Sequence, residues 1–263
     1  MQETFWAVKG CPLRIALVCD LHERPFGEVV RSLRRQRPEL ICIAGDFVYG
    51  AHSGELLKLE KAEYVLPFFS ACAELAPSFV SLGNHEWLLT PGDLRLVAQT
   101  GVRLLDNAWE LFPTNRARLV IGGLSSSHVT LFRRMCQTDP RDRLVINVEA
   151  AARSQRVPPE TDWLRAYCAE PGYHILLSHH PEYYPRYLKA LPIELILSGH
   201  AHGGQIRIGG QGLYSPGQGV FPRLTSGVHD GRLVVSRGLA NAVPVPRLFN
   251  PPELVYVLPE ETE

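Results

Sequence analysis

The sequence predicts an α/β fold with buried strands and a β-rich C-terminal part. Three observations carry this reading. Short apolar runs of strand length occur at Leu13–Cys19, Leu40–Ala44, Ser78–Leu82, Tyr173–Leu177 and Leu195–Leu197. Helical patterns stand between several of them, the order of an α/β protein. After Gly203 the chain turns glycine-rich, with short alternating segments typical of antiparallel structure.

The elements follow in order. A short tail precedes the first run. Residues 25–36 read as a helix with Val29, Val30 and Leu33 on one face and arginines on the other. Residues about 58–75 read as a second helix that Pro77 stops, and Pro91–Gln99 as a third with proline near its start. Val102–Leu104, Glu110–Phe112 and Leu119–Ile121 read as short strands. Residues about 124–160 hold two weak helical patterns, around His128–Cys136 and Leu144–Arg153. They form a predicted insertion in one domain spanning 1–263, because the polar residues that matter run from Asp20 to His202. Residues 161–169 and Glu182–Lys189 read as short helices, and Gln205–Ile208, Leu233–Ser236 and Leu254–Leu258 as strands.

Composition narrows the function classes. The chain has 263 residues, 45% hydrophobic, with 27 basic and 27 acidic side chains. That balance gives no global pull toward nucleic acid or an anionic surface. Two local basic clusters, Arg31, Arg34, Arg35, Arg37 and Arg133, Arg134, Arg141, Arg143, read as solvated faces. The six cysteines have no metal-type spacing and read as reduced. Residues 1–12 do not resemble an export signal, and no run has the length of a membrane span. The expectation is a cytoplasmic protein, with peripheral membrane association as the alternative. The oligomeric state is left open.

The ends of the apolar runs carry the chemistry. The first leads into Asp20-Leu21-His22, the second into Gly45-Asp46 and the third into Gly83-Asn84-His85-Glu86. The later two lead into His179-His180 and into Gly199-His200-Ala201-His202-Gly203-Gly204. Open α/β sheets bind ligands at the C-terminal ends of their strands. In extended chain, residues two apart point the same way, so Asp20 and His22 are expected to meet one site, as are His200 and His202. Taken singly, Asp-x-His is an ordinary capping pair and Gly-Asp an ordinary turn. Their conjunction, always after an apolar run, points to a metal site. His52, His128, His174, His180 and His229 fall outside the pattern and read as packing or surface residues, with His180 the one to watch.

These blocks resemble the calcineurin-like metallophosphoesterases, whose pattern is D-x-H, G-D, G-N-H-(D/E), H and G-H-x-H. The match runs over residues about 13 to 205. Gly199–Gln205, Leu213–Gly217, Ser236–Leu239 and Pro246–Glu253 resemble the YkuE/YaeI-type bacterial branch. The resemblance implies a four-layer αββα sandwich of two mixed sheets flanked by helices. It also implies that Asp20, His22 and His202 hold one metal, that Asn84, His179 and His200 hold another, and that Asp46 bridges them. His85 would be the catalytic residue facing substrate. Ala201 departs from the threonine common at its position, and Cys19 from a serine.

Four histidines argue against calcium or magnesium, and mixed imidazole and carboxylate ligands suit manganese, iron or zinc. Manganese is the expected metal. Two divalent ions, two carboxylates and a bridging hydroxide leave the site near a single positive charge, which attracts a phosphate. The expected activity is hydrolysis of phosphodiesters or phosphomonoesters by that hydroxide, with His85 serving the leaving oxygen. One alternative is pyrophosphate cleavage in a nucleotide-linked lipid such as a UDP-sugar lipid. Another is a non-catalytic scaffold, which the full ligand set and His85 disfavour. Residues 124–160 either border the active-site mouth, with Phe132 as an apolar contact and Arg133 as a phosphate contact, or run over the far surface.

Overall fold

Alternation within the apolar runs divides each strand between two cores. In β2 (Ile15–Val18), Ile15 and Leu17 enter one apolar cluster while Ala16 and Val18 enter another. In β3 (Leu40–Ala44), Leu40, Cys42 and Ala44 join the first cluster, and Ile41 and Ile43 the second. A strand buried on both faces needs a packed layer on each side. The computed structural model, which describes residues 1–49, 59–136, 157–241, 243 and 245–260, supplies both layers.

One six-stranded sheet has the order β1 (Gln2–Val8), β16 (Glu253–Pro259), β2, β3, β4 (Ser78–Ser81) and β5 (Arg103–Leu104). Its β2 to β5 run parallel, and β16 is antiparallel to β2. The other has the order β14 (Gly227–His229), β15 (Leu233–Val235), β9 (Leu195–Ser198), β8 (Tyr173–Ser178), β7 (Arg118–Leu124) and β6 (Ala108–Pro113). Here β15, β9, β8 and β7 are parallel, between antiparallel edges. The sheets share the cluster of Leu17, Phe79, Ile121, Leu177 and Leu197. Helices α1 (Gly27–Gln36), α2 (Val65–Leu75) and α3 (Pro91–Gln99) cover the outer face of the first sheet. Helix α5 (Leu164–Ala169) and the turn Tyr184–Leu188 cover the second. The result is the four-layer αββα sandwich. No helix among the described residues is long and apolar enough to cross a membrane.

Two differences from the sequence reading have physical reasons. The expected tail is strand β1, paired in register with β16 from Gln2↔Glu253 to Val8↔Pro259. Its polar side chains conceal an apolar rhythm because α1 uses them: Glu3 accepts from Ser32 at 2.5 Å, from Gln36 at 2.9 Å and from Arg35. The expected helix over 58–75 is a 3-10 turn, Leu59–Lys61, followed by α2. Asp93, which closes a capping box with Thr90 at the start of α3, also accepts the Leu59 amide at 2.9 Å. The first weak pattern of the expected insertion is helix α4 (Ser127–Cys136), and the second, Leu144–Arg153, lies outside the described residues.

Helix α4 packs on the 3-10 turn His85–Leu88. Phe132 meets Trp87 edge to face at 5.2 Å, and Arg133 pairs with Asp106 at 2.5 Å. Both side chains therefore help to pack the segment against the site-bearing turn. Phe132→Ala should lower stability by about 1–3 kcal/mol, since the ring is only partly buried. Denaturant titration reads the loss. An unchanged midpoint with substrate-selective kinetics would restore Phe132 as a substrate contact.

Candidate metal centre

Five of the candidate residues occupy a backbone region that side chains avoid. Asp20, His22, Asp46, His200 and His202 have φ of 54°, 46°, 55°, 64° and 45°. Such left-handed residues cost of order 1–3 kcal/mol each where the surroundings enforce them. They also correct the expectation from pleat geometry. Strand β2 stops at Val18, and Asp20 and His22 converge through left-handed turns, not through an extended chain. The turns are stitched together by backbone bonds, Asp20 N–H to Gly45 O at 3.2 Å and His22 N–H to Asp46 O at 3.1 Å. Leu21 packs on the helical side of the sheet and Cys19 on the side that faces the second sheet.

The turns bring the buried side chains into linked clusters. Donor atoms of Asp20, His22 and His202 lie within 4.8 Å of one another, as do those of Asp46, His179 and His200. Asp46 joins the groups: its Oδ2 lies 3.1 Å from His179 Nε2, 3.9 Å from His22 Nε2 and 3.8 Å from His85 Nε2. Asp20 Oδ1 lies 3.5 Å from His202 Nε2 and 3.9 Å from His179 Nε2. Asn84 Oδ1 is buried with no hydrogen-bond partner among the described residues.

Second contacts of the rings fix their tautomers. His179 Nδ1 lies 2.7 Å from Ala44 O, His22 Nδ1 3.2 Å from Val48 O and His85 Nδ1 2.6 Å from Tyr49 O. A carbonyl only accepts, so each Nδ1 carries a proton and each Nε2 is the nitrogen turned toward the site. His179 Nε2 faces the Asp46 carboxylate without meeting it in hydrogen-bond geometry. Burial opposes charge on His179, yet Asp46 and Asp20 push its pKa up to about 10. His22 and His200 are held well below the usual range by burial and then by neighbouring imidazoles. Asp46, despite burial, is held well below the carboxylate range by His179 and His85. Inward imidazole nitrogens, an ionised carboxylate and an orphaned amide oxygen around one space are the donor set of a cation that would displace the proton on His179. His202 is the exception. Arg247 donates to its Nδ1 at 2.8 Å, so ligation through Nε2 requires Arg247 to release that nitrogen.

Glu86 is the functional residue that sequence reasoning left without a role. Its buried carboxylate accepts four backbone amides: Asp46 at 2.8 Å, Phe47 at 2.8 Å, Val48 at 3.1 Å and Gly83 at 2.6 Å. Burial, then Asp46, raises its pKa to about 7. Gly83 lies so close to Asp46 that a Cβ there would sit 2.6 Å from the Asp46 amide nitrogen. Only the final acidic residue of Gly-Asn-His-Glu signalled this clamp.

The remaining described histidines are engaged elsewhere. His180 contacts Glu182 at 3.0 Å and Ser126 at 2.8 Å, and its ring packs on His200. His174 is held by Glu194 and the Tyr167 carbonyl, and His229 by the Ser226 carbonyl. His128 stacks on His180 at 5.9 Å. His52 lies outside the described residues.

The family model of the calcineurin-like phosphoesterases matches residues 13–204. The chain belongs to this family. Calcineurin-like phosphoesterases work with a dinuclear divalent metal centre, and this member is accordingly a metal-dependent phosphohydrolase. It is 27% identical to an uncharacterised metallophosphoesterase of Aquifex aeolicus, over 97% of this chain and 88% of that one. It is 24% identical to phosphodiesterase YaeI of Escherichia coli, over 78% of this chain and 66% of that one. It is also 24% identical to the UDP-2,3-diacylglucosamine pyrophosphatase LpxG of Chlamydia muridarum, over 92% of this chain and 82% of that one.

Two tests follow from this geometry. His179 holds a proton below its pKa of about 10, so loading the metal-free phosphoesterase at neutral pH should expel protons. Affinity should rise with pH toward that value, since the competing proton is lost. Calorimetry in buffers of different ionisation enthalpy reads the release, and a buffer-independent heat would contradict it. Glu86→Gln replaces an acceptor oxygen by an amide donor beneath four N–H groups. A loss of about 2–4 kcal/mol with reduced metal content is expected, and full metal content at wild-type stability would refute the clamp.

Proposed function

We propose that Asp20, His22, Asp46, Asn84, His179, His200 and His202 hold two divalent ions, manganese first and iron or zinc as alternatives. The placement of the Asp46 carboxylate between the two histidine groups carries this reading. When bound, the ions would supply Lewis acidity and lower the pKa of water held beside them. The protein's own part is orientation. Carbonyls Ala44 O and Val48 O fix His179 and His22 with Nε2 inward, and Glu86 holds the Asp46 turn. Two carboxylates against two divalent charges leave the site cationic, which suits an anionic phosphoryl group.

His85 is the side chain that would act on substrate. It is 22% exposed while His22 and His179 are shut in. With Nδ1–H donated to Tyr49 O, the doubly protonated ring would deliver its Nε2 proton to the leaving oxygen. The reaction is hydrolysis of a phosphate ester, with a phosphodiester as the first substrate class, supported by the resemblance to YaeI. The resemblance to LpxG supports a second reading, pyrophosphate cleavage in a nucleotide-linked lipid.

His85→Ala should keep its metals and lose about 10²–10⁴-fold in rate. The loss should shrink for good leaving groups such as p-nitrophenolate, and an equal loss on poor and good leaving groups would argue against proton donation. A manganese-supplemented panel of monoesters, diesters and pyrophosphates ranks the substrate classes. Hydrolysis of none of them would overturn the proposed function.

A further inference from the structure

The exposed large apolar side chains are not scattered. Ten stand out among the described residues, and eight of them fall between Ile208 and Phe249. Scattered exposed apolar residues need no explanation, but a cluster does. The eight sit on three loops anchored to one turn. Gly209-Gly210 closes the hairpin of β10 (Arg207–Ile208) and β11 (Gln211–Gly212), where Ile208 shares a cavity wall with Phe249. In the next hairpin, β12 (Tyr214–Ser215) and β13 (Gly219–Val220), Tyr214 pairs with Val220, and Phe221 follows. The third loop carries Val243 and Val245. Leu213 N–H donates to Gly204 O at 3.1 Å, and Asn250 Nδ2 donates to His202 O at 2.7 Å. Gln205 Nε2 donates to Asn241 Oδ1 at 2.9 Å and to Val245 O. All three loops thus hang on residues 202–206.

Two of these residues are held at a cost. Phe221 and Phe249 have φ of 50° and 54°, a region that glycine or asparagine enters cheaply and a bulky side chain does not. Phe249 is nevertheless 85% exposed. Neither ring offsets its strain by burial within the chain, so the strain serves display.

Charge says what the face meets. Residues 205–253 contain five arginines and two acids, Asp230 and Glu253, in a chain whose net charge is zero. Asp230 is taken by Lys189 and Tyr184, and Glu253 by Arg237. Arg207 donates to carbonyls and to Thr225, and Arg247 to carbonyls and His202, so neither is neutralised by a carboxylate. Arg223 is exposed beside Phe221. Apolar tips with a cationic surround complement an anionic lipid surface.

We infer that the loops carrying Ile208, Val220, Phe221, Val245 and Phe249 dock the protein on an anionic bilayer, with the aromatic tips in the acyl boundary. The dock holds the His202 turn toward the lipid, whichever phosphate ester is hydrolysed.

The test uses the full chain with vesicles of phosphatidylcholine, with and without phosphatidylglycerol. Wild-type protein should co-sediment with the anionic vesicles and be released by salt. The double variant Phe221→Asn/Phe249→Asn should fold at least as stably, because asparagine suits both backbone positions. Its vesicle affinity should fall by about tenfold or more, the scale of withdrawing two aromatic side chains from an apolar phase. Its rate on a soluble chromogenic ester should be unchanged. Failure to bind either vesicle, or equal binding by the double variant, overturns the inference. So does a wild-type dimer in sedimentation velocity that the same substitutions dissociate, which would make the face a contact between copies of the chain.

Discussion

Glu86 holds together the ends of two neighbouring strands of the first sheet. The parallel strands β3 and β4 end side by side, and each end must reverse sharply to present polar residues. Reversal leaves buried amides without ladder partners, and a buried N–H left unpaired costs about 1–3 kcal/mol. One carboxylate accepts four of them, from Gly83 and from Asp46 to Val48. The same carboxylate holds the Asp46 turn, whose side chain links the two clusters, and Glu86 itself lies in the 3-10 turn on which α4 packs. The geometry of the candidate site and the local folding therefore rest on one buried group.

The left-handed residues extend the point. Strain at Asp20, His22, Asp46, His200 and His202 is sustained because their surroundings leave no alternative. Gly199 and Gly238 back onto Asp20 so closely that a Cβ at either would strike its carboxylate. Ala240 N–H donates to Asp20 O at 2.8 Å, which ties the strap after β15 to the site. Crowding on every side holds the carboxylate in place before any ion arrives, and preorganisation of this kind is what a catalytic centre needs.

Much of this was legible in the sequence, and unevenly so. Strands buried on both faces announce themselves as apolar runs, so β2, β3, β4, β8 and β9 stood out together with the polar residues at their ends. Edge strand β1 did not, because Glu3 and Thr4 bond to neighbouring side chains instead of packing. Asp20 and His22 do come together, but spacing of two suggests a pleat, whereas the chain uses turns. Glu86 was visible as part of a motif, but its role depends on four amides from two other segments. Arg247 and the exposed aromatics were invisible as a set, since residues distant in sequence meet only around the 202–206 turn. Phe132 and Arg133 had the composition of a substrate contact, and their partners Trp87 and Asp106 are distant in sequence and were not legible there.

Asp46 is the proposed shared carboxylate of two ions. Diffraction from manganese-loaded crystals, with anomalous scattering at the metal edge, tests this directly. Two peaks about 3.5–4 Å apart, one beside Asp20 and His22 and one beside His179 and His200, with Asp46 touching both, are expected. A single peak, or an Asp46 carboxylate that touches only one ion, would contradict it.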